Sequence, residues 1–322
     1  MLPSLPLDLL SAQFGDRLKK DMPMGHFTTA HVGGPADALV AVSSADDLAQ
    51  TAIFLWERDV PFLVLGGGSN VLVSDAGVRG VVILNQAKDF RFEVQPEMPQ
   101  VWAESGANFG LIARQAATRG WSGLEWAAGI PGTLGGAVIG NAGAHGSDMA
   151  TNLRMADILH LPLKKPTGAT GQPEQPHRDQ NTVKQMGYAY RRSQYKQLWR
   201  SHPKAIVLSA ILGLTYSTPE AVREKMTEYS EYRHKTQPAG NSMGSIFKNP
   251  PGHYAARLIE AVGLKGYAAG EAEISRQHAN FFINLGKATA SDFYRLIRIA
   301  QEKVLEKFEI VLELEIELIG EW

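Results

Sequence analysis

The chain has 322 residues, no cysteine, and 32 basic against 33 acidic side chains. Without cysteine there can be no disulfides, thiolate metal sites, iron–sulfur clusters or thiol nucleophiles, and the composition fits a reducing compartment. The charge is balanced and scattered, which excludes the one-sided basic footprint of a nucleic-acid binder, and the longest apolar run, 205–214, is far short of the roughly 20 residues a membrane helix needs.

The N-terminal stretch has no basic start followed by an apolar core, and Asp8 interrupts its apolar residues. It does not read as a signal peptide, so the expected location is the cytoplasm. The length suits two or three modest domains.

Strand and helix signals alternate at first. Residues 37–42 read as a strand, and Ser44, three residues before Asp47, as the N-cap of a helix with Leu48, Ala52 and Leu55 at helical spacing. Residues 61–65 form a second apolar run that ends at Gly66-Gly67-Gly68, and 71–73 and 80–84 read as further strands around a turn at 75–77. A strand at 101–104 and a helix at 109–118 follow. The polar, aperiodic stretch 164–185 reads as a surface loop.

Residues 205–216 are strand-like, and Ser217 or Thr218 caps a helix with Pro219 in its first turn and Val222, Met226 and Tyr229 as an apolar stripe. In the helix expected at 290–308, Phe293, Leu296, Ile297, Ala300, Val304 and Phe308 share one side. The last strand alternates, with Leu312, Leu314, Ile316 and Leu318 on one face and Glu313, Glu315 and Glu317 on the other.

Two glycine-rich segments carry chemistry. The first, Leu65-Gly-Gly-Gly-Ser-Asn70, follows a strand, and its bare N–H groups suit an anion. It is not a P-loop, and because Val71–Val73 continues as a strand it is not a Rossmann turn either. Taken alone, a tight hairpin turn explains it. The second, 128–137 with 141–146, sacrifices so much backbone entropy that a ligand or a close chain crossing is expected. Two such loops without a Walker lysine point to a dinucleotide such as FAD, held through its pyrophosphate.

In order along the chain, Thr29-Ala-His-Val-Gly-Gly-Pro-Ala-Asp37, Leu65–Asn70 and Ala128-Gly-Ile-Pro-Gly-Thr-Leu-Gly-Gly-Ala137 resemble the flavin-binding signatures of the vanillyl-alcohol-oxidase type. With Tyr190-Arg-Arg-Ser193, Thr236-Gln-Pro238, Gly244-Ser-Ile-Phe-Lys-Asn-Pro250, Leu258–Gly266, Ile274–Asn284 and Leu312–Gly320, the chain resembles more closely the UDP-N-acetylenolpyruvoylglucosamine reductase family. Each motif is weak by itself. The ordered set spans nearly the whole chain and is specific.

The resemblance implies an α+β fold with FAD-binding parts at 1–85 and 86–217 and a UDP-sugar domain at 218–322, whose C-terminal strand returns to the active site. It implies a hydride relay from NADPH through non-covalent FAD to the substrate, UDP-N-acetylglucosamine enolpyruvate, by an enzyme expected to be a monomer. The cofactor residues it implies are Gly33, Gly34, Gly66, Gly67, Gly68, Ser69 and Asn70, then Gly129, Ile130, Pro131, Gly132, Thr133, Gly135 and Gly136, then Asn141, Ala142 and Gly143. A compact 242–290 region suggests the second of the family's two architectural types, which lacks an extra tyrosine-bearing loop.

Hydride addition to an enol ether builds carbanion-like charge at C2, delocalised into the carboxylate, and a fixed guanidinium beside it lowers the barrier. The resemblance gives this role to Arg191, with Arg192 as its rival, and gives Ser245 the proton for C2, with Ser242 as its rival. The resemblance implies Glu315 as the third catalytic group, with Glu313 and Glu317 as neighbours that a solvated strand face would equally explain. Tyr190, Lys248, Asn249 and Gln277 are the substrate contacts it implies. His31, His145 and His278 lie in motifs, but no pair has metal-ligand spacing and no serine-hydrolase elbow is present, so neither a metal site nor a triad competes. The alternatives are an FAD-dependent oxidase of a small alcohol or sugar within the same superfamily, and a non-catalytic regulator that binds flavin or UDP-sugar.

Overall fold

The computed structural model describes residues 5–162, 175–196 and 203–322. Its helices and strands form an α+β chain with two compact units that interleave in sequence. The first comprises Met1–Lys19, Ala38–Gly66 and Gly80–Tyr229, the second Lys20–Asp37, Gly67–Arg79 and Ser230–Trp322.

In the first unit Phe62–Leu65 runs parallel to 81–84, pairing Phe62 with Val81 and Leu65 with Leu84. The helix Ala45–Glu57 starts where the Ser44 side chain accepts the Asp47 N–H at 3.1 Å. It buries Leu48, Ala52 and Leu55 in one cluster with Phe62, Val81 and Ile83. A five-stranded antiparallel sheet follows, in the order His177–Thr182, Leu153–His160, Ala205–Gly213, Gln100–Glu104, Phe90–Glu93. Its core contains Val101, Phe109, Trp126, Leu134 and Leu212.

That outermost strand corrects the loop expected at 164–185. Residues 164–174 lie outside the described chain, but His177–Thr182 is a strand in register with Leu153–His160, His160 facing His177. Its polar sequence hid it because an edge strand exposes nearly all its side chains. Here only Asn181 is buried.

In the second unit the helix Ala290–Phe308 buries Phe293, Leu296, Ile297, Ala300 and Val304 beside Phe247, Ile274 and Phe282. Every N–H of its first turn has an acceptor, as a half-buried helix start requires. The Asp75 carboxylate takes those of Ala290 and Ser291 at 2.8 and 2.9 Å. The Thr289 hydroxyl takes that of Asp292 at 3.1 Å and the Thr289 carbonyl that of Phe293.

The C-terminal segment departs from the single alternating strand expected over 312–318. Leu314 makes one bridge to Phe247, the backbone bends at 315–316, and only Glu317–Ile319 forms a strand, parallel to Val71–Val73. The chain changes partner in mid-run, so the three glutamates do not share one depth. The Glu313 side chain is 73% exposed, while Glu315 and Glu317 are half-buried.

The Asp75 contact predicts a pH-dependent stability. Burial pushes the Asp75 carboxyl up, but hydrogen bonds from Ser291 and Ala290 outweigh it and hold the carboxyl below its ordinary 3.8. A depressed carboxyl contributes stability above the unfolded-state value and loses it as pH falls through the folded one. We expect Asp75→Ala to lower the unfolding free energy by about 1–2 kcal/mol at pH 7, as loss of a helix cap does. Urea midpoints at pH 7 and pH 3 check this: the gap between parent and variant should narrow in acid.

Candidate functional site

In the first unit the second glycine-rich segment begins exposed at Gly129 and Pro131 and is stitched to the chain at 105–109. Phe109 N–H donates to the Gly132 carbonyl at 3.2 Å, Leu134 N–H to Ala107 at 2.9 Å and Gly135 N–H to Ser105 at 2.7 Å. The helix Leu134–Gly140 follows. A Cβ on Gly66 would stand 2.4 Å from the Thr133 hydroxyl, so the two glycine segments, remote in sequence, are in contact here.

The glycines divide by reason. Gly66, Gly135 and Gly143 are forced by close approach, since an added Cβ would meet Thr133, Ser105 and Ser147 at 2.8 Å or less. Gly132, with φ of 114°, is forced by conformation. Neither reason applies to Gly136 and Gly140. A Cβ on Gly136 meets nothing nearer than Thr133 Oγ1 at 3.8 Å, and one on Gly140 meets nothing within 4 Å. They lie one turn apart on one helix face, where glycine costs about 1 kcal/mol each relative to alanine. A helix face stripped of side chains with open space in front is a cradle for a flat or extended ligand. Gly140 was not among the expected residues; its spacing from Gly136 was the available signal.

The same helix positions Tyr190 and Arg191. Its last carbonyls are taken by side chains on either side of the 189–192 turn, with Tyr188 Oη donating to Val138 at 2.8 Å and Ser193 Oγ to Ile139 at 2.7 Å. Burial and the Asp148 carboxylate push the Tyr188 phenol well above its ordinary value, so it stays a donor. Asn141, left-handed at the helix end, donates to Asp148 and to the Ala189 carbonyl and accepts from Ala150 N–H. Its side chain is therefore committed within the protein.

Ala189 and Arg192 exchange backbone hydrogen bonds across the turn, leaving Tyr190 and Arg191 at the corner. Arg191 has φ of 55°, a left-handed conformation that costs a side-chain-bearing residue roughly 1–3 kcal/mol. Its guanidinium stands 5.3 Å from the ring centroid of Tyr190, which is 53% exposed.

In the second unit Gly33, Gly34 and Gly68 are glycines of close approach. A Cβ on Gly34 would lie 2.0 Å from the Asp75 carbonyl, and one on Gly68 1.9 Å from that of Phe27. A Cβ on Gly33 would lie 2.9 Å from Val73 Cβ. Gly67 is exposed. Asn70 reaches away from the loop: its Nδ2 donates to the Glu315 carbonyl at 3.1 Å, and its own carbonyl accepts from Glu317 N–H at 2.9 Å.

The segments that bear Ser245 and Glu315 run side by side here. Ser245 bridges Phe281, and the next carbonyl, of Ile246, accepts the Glu315 N–H at 2.8 Å. Lys248 N–H donates to the Glu313 carbonyl, and its ammonium pairs with the exposed Glu313 carboxylate at 3.3 Å. The Asn249 side chain accepts the Ala255 N–H at the start of the helix Ala255–Ala261. Gln277 donates through its amide to the carbonyls of His234 and Lys235. Among the described residues no three His, Asp or Glu side chains are grouped to hold a metal, and no helix is long and apolar enough to cross a membrane.

A family model described as FAD binding domain matches residues 36–168, and one described as UDP-N-acetylenolpyruvoylglucosamine reductase, C-terminal domain, matches 236–319. The chain is 42% identical over 307 residues to the UDP-N-acetylenolpyruvoylglucosamine reductase of Rubrobacter xylanophilus, covering 94% of this chain and 95% of that one. It is 40% identical to that of Bacillus subtilis, covering 92% of each. The crystal structure of MurB from Thermus caldophilus aligns with a TM-score of 0.76 at 34% identity, over 94% of this chain and 99% of that one. Relatives at this identity over almost their whole length, together with both domain matches, establish that the chain belongs to the UDP-N-acetylenolpyruvoylglucosamine reductase family.

Proposed function

We propose that this FAD-dependent oxidoreductase reduces UDP-N-acetylglucosamine enolpyruvate to UDP-N-acetylmuramate, a precursor of peptidoglycan, with Arg191, Ser245 and Glu315 as its catalytic residues. The observation that carries the reading is the hydrogen bond that ties the Ser245 segment to the Glu315 segment, Glu315 N–H to the Ile246 carbonyl at 2.8 Å. It fixes a hydroxyl and a carboxyl on adjacent backbones.

The residues present fit FAD. The bare face at Gly136 and Gly140 has no packing explanation, and the exposed Gly129 leaves backbone open to an anionic group. FAD, when bound, supplies the hydride that reaches the enolpyruvyl C3 after loading from NADPH. The chain's own groups do the rest. Arg191, held by the braced turn at 189–192, stabilises the carboxylate as charge develops. The Ser245 hydroxyl delivers the proton to C2, and Glu315 polarises that hydroxyl and replaces its proton.

In this reading Tyr190 and Lys248 touch the substrate, Lys248 by exchanging Glu313 for a group of the ligand. Asn249 and Gln277 shape the surroundings through the backbone they hold. Residues 1–85 and 86–217 serve the cofactor and 218–322 the UDP-sugar. The enzyme acts as a monomer in the cytoplasm, a reducing compartment with which a cysteine-free composition is compatible.

Three outcomes test the reading. Gly136→Leu should give a folded protein without the yellow of bound flavin, while Gly136→Ala should raise the stability of the flavin-free protein by about 0.5–1 kcal/mol. Full flavin occupancy in Gly136→Leu would take this helix face out of the cofactor site.

Ser245→Ala should still let NADPH bleach the flavin, since that step needs no proton at C2. Reoxidation by the enolpyruvyl substrate should then slow by roughly 10²–10⁴-fold in stopped-flow absorbance, the contribution of one general acid. Equal loss in both half-reactions would make Ser245 structural.

Glu315→Gln should depress reoxidation at least as much as Arg191→Lys, lowering kcat more than it raises KM. The exposed Glu313, replaced by Gln, should stay within about two-fold of the parent, as surface changes do. Glu317→Gln should also leave the rate nearly intact. A sensitive Glu313 or Glu317 would move the assignment by two residues.

A further inference from the structure

The Gly244–Lys248 segment lies between two others without forming a continuous ladder with either. On one side it meets 313–315, through Glu315 N–H to Ile246 and Lys248 N–H to Glu313. On the other it meets 280–281, and there the contacts are unusual. The Ile246 N–H donates to the Asn280 main-chain carbonyl at 2.9 Å. At the next residue a side chain takes over, with Phe247 N–H donating to Asn280 Oδ1 at 2.9 Å and Asn280 Nδ2 donating to the Phe247 carbonyl at 2.8 Å. A carboxamide has the donor–acceptor pattern of a peptide, so Asn280 stands in for the strand residue a ladder would have there. Asn280 is 3% exposed and Phe247 1%.

The platform under Asn280 is rigid. Ser275 N–H donates to the Phe281 carbonyl and Phe281 N–H to the His278 carbonyl, both at 2.9 Å. The Ser275 hydroxyl accepts from Gln277 and His278, and Asn280 N–H donates to His278 Nδ1 at 3.3 Å. Burial lowers the pKa of His278, which keeps that nitrogen an acceptor. On the far side of Ser245, Gly244 has φ of 75°, a conformation glycine adopts without strain. Ile246 and Phe247 thus hold the serine from the side where these bonds are made.

We infer that Asn280 is a positioning residue for the proton transfer, holding the Ser245 hydroxyl in line by clamping the peptide of Phe247 with both ends of its amide. The inference rests on the reading of Ser245 as the proton donor. It requires Asn280 to act on the second half-reaction and only through Ser245. Asp at 280 keeps the acceptor for Phe247 N–H but sets a carboxylate oxygen against the Phe247 carbonyl.

The test compares parent, Asn280→Asp, Ser245→Ala and the double variant as flavin-loaded full-length enzymes. In Asn280→Asp, NADPH should bleach the flavin at the parent rate, while reoxidation by the enolpyruvyl substrate slows by about 100-fold, the loss expected for a misplacement near 1 Å. KM should change little. Adding Asn280→Asp to Ser245→Ala should cost nothing more. Parent-like reoxidation in Asn280→Asp, equal loss in both half-reactions, or a further drop in the double variant would each overturn the role of Asn280. Normal reoxidation in Ser245→Ala would instead overturn the reading of Ser245, and the inference with it. If Asn280→Asp purifies without flavin, Asn280→Ser, which sets no charge against the carbonyl, takes its place, and the same rates support or overturn the role.

Discussion

The peptide of Ile246 is the constraint on which the second unit's chemistry hangs. The residue is fully buried, so its N–H and C=O must both be paired, and they are paired in opposite directions, with Asn280 and with Glu315. Those bonds fix which face of the segment each side chain takes. Ile246 and Phe247 are both buried in one core with Phe282 and Phe293, so a slip of one residue would set either the Ser245 hydroxyl or the Lys248 ammonium in an apolar position. Core packing therefore holds the register, and the register presents the serine. Burial of the core and placement of the Ser245 hydroxyl are linked in one short segment.

The first unit reaches the same end by subtraction. Six glycines between Gly129 and Gly143 serve three different purposes: tight crossing, unusual backbone, and nothing the protein itself needs. The last group is the informative one. Stability favours alanine at Gly136 and Gly140, and glycine there leaves a helix face free for something from outside the chain. The far end of that helix then anchors the Arg191 turn through Tyr188 and Ser193. One seven-residue helix thus carries a face bare of side chains and the support for a cation.

Much of this was legible in the residues. The helices expected at 109–118 and 290–308, the second from its apolar spacing, are present with those bounds, because such a signal is local. What failed to show were features created by a partner. His177–Thr182 looks like a loop because an edge strand needs no apolar face. The alternation from Leu312 to Leu318 looks like one strand because periodicity cannot say where a chain changes neighbours. Asn280 lies in a motif, but an asparagine in a turn region reads as a turn residue. Only the position of Phe247 reveals what its amide does. In the same way Asn70, in a loop expected to face a cofactor, directs its amide to Glu315.

The contact between Asn70 and Glu315 spans 245 residues. The strand Val71–Val73 emerges well before the segment that pairs with it, Glu317–Ile319, is made. At bacterial elongation rates that interval is on the order of 10–50 s. Throughout it Leu72 and Val73, fully buried in the finished protein, lack the neighbours that cover them. The chain must also close a very long loop before this pairing returns any free energy, which slows folding and favours assistance from chaperones. A ribosome that stalls before Glu317 would leave an exposed apolar strand lacking its partner. Synthesis and packing are thus coupled by topology, because the segment bearing Glu315 must be made before the second unit can close around Val71–Val73.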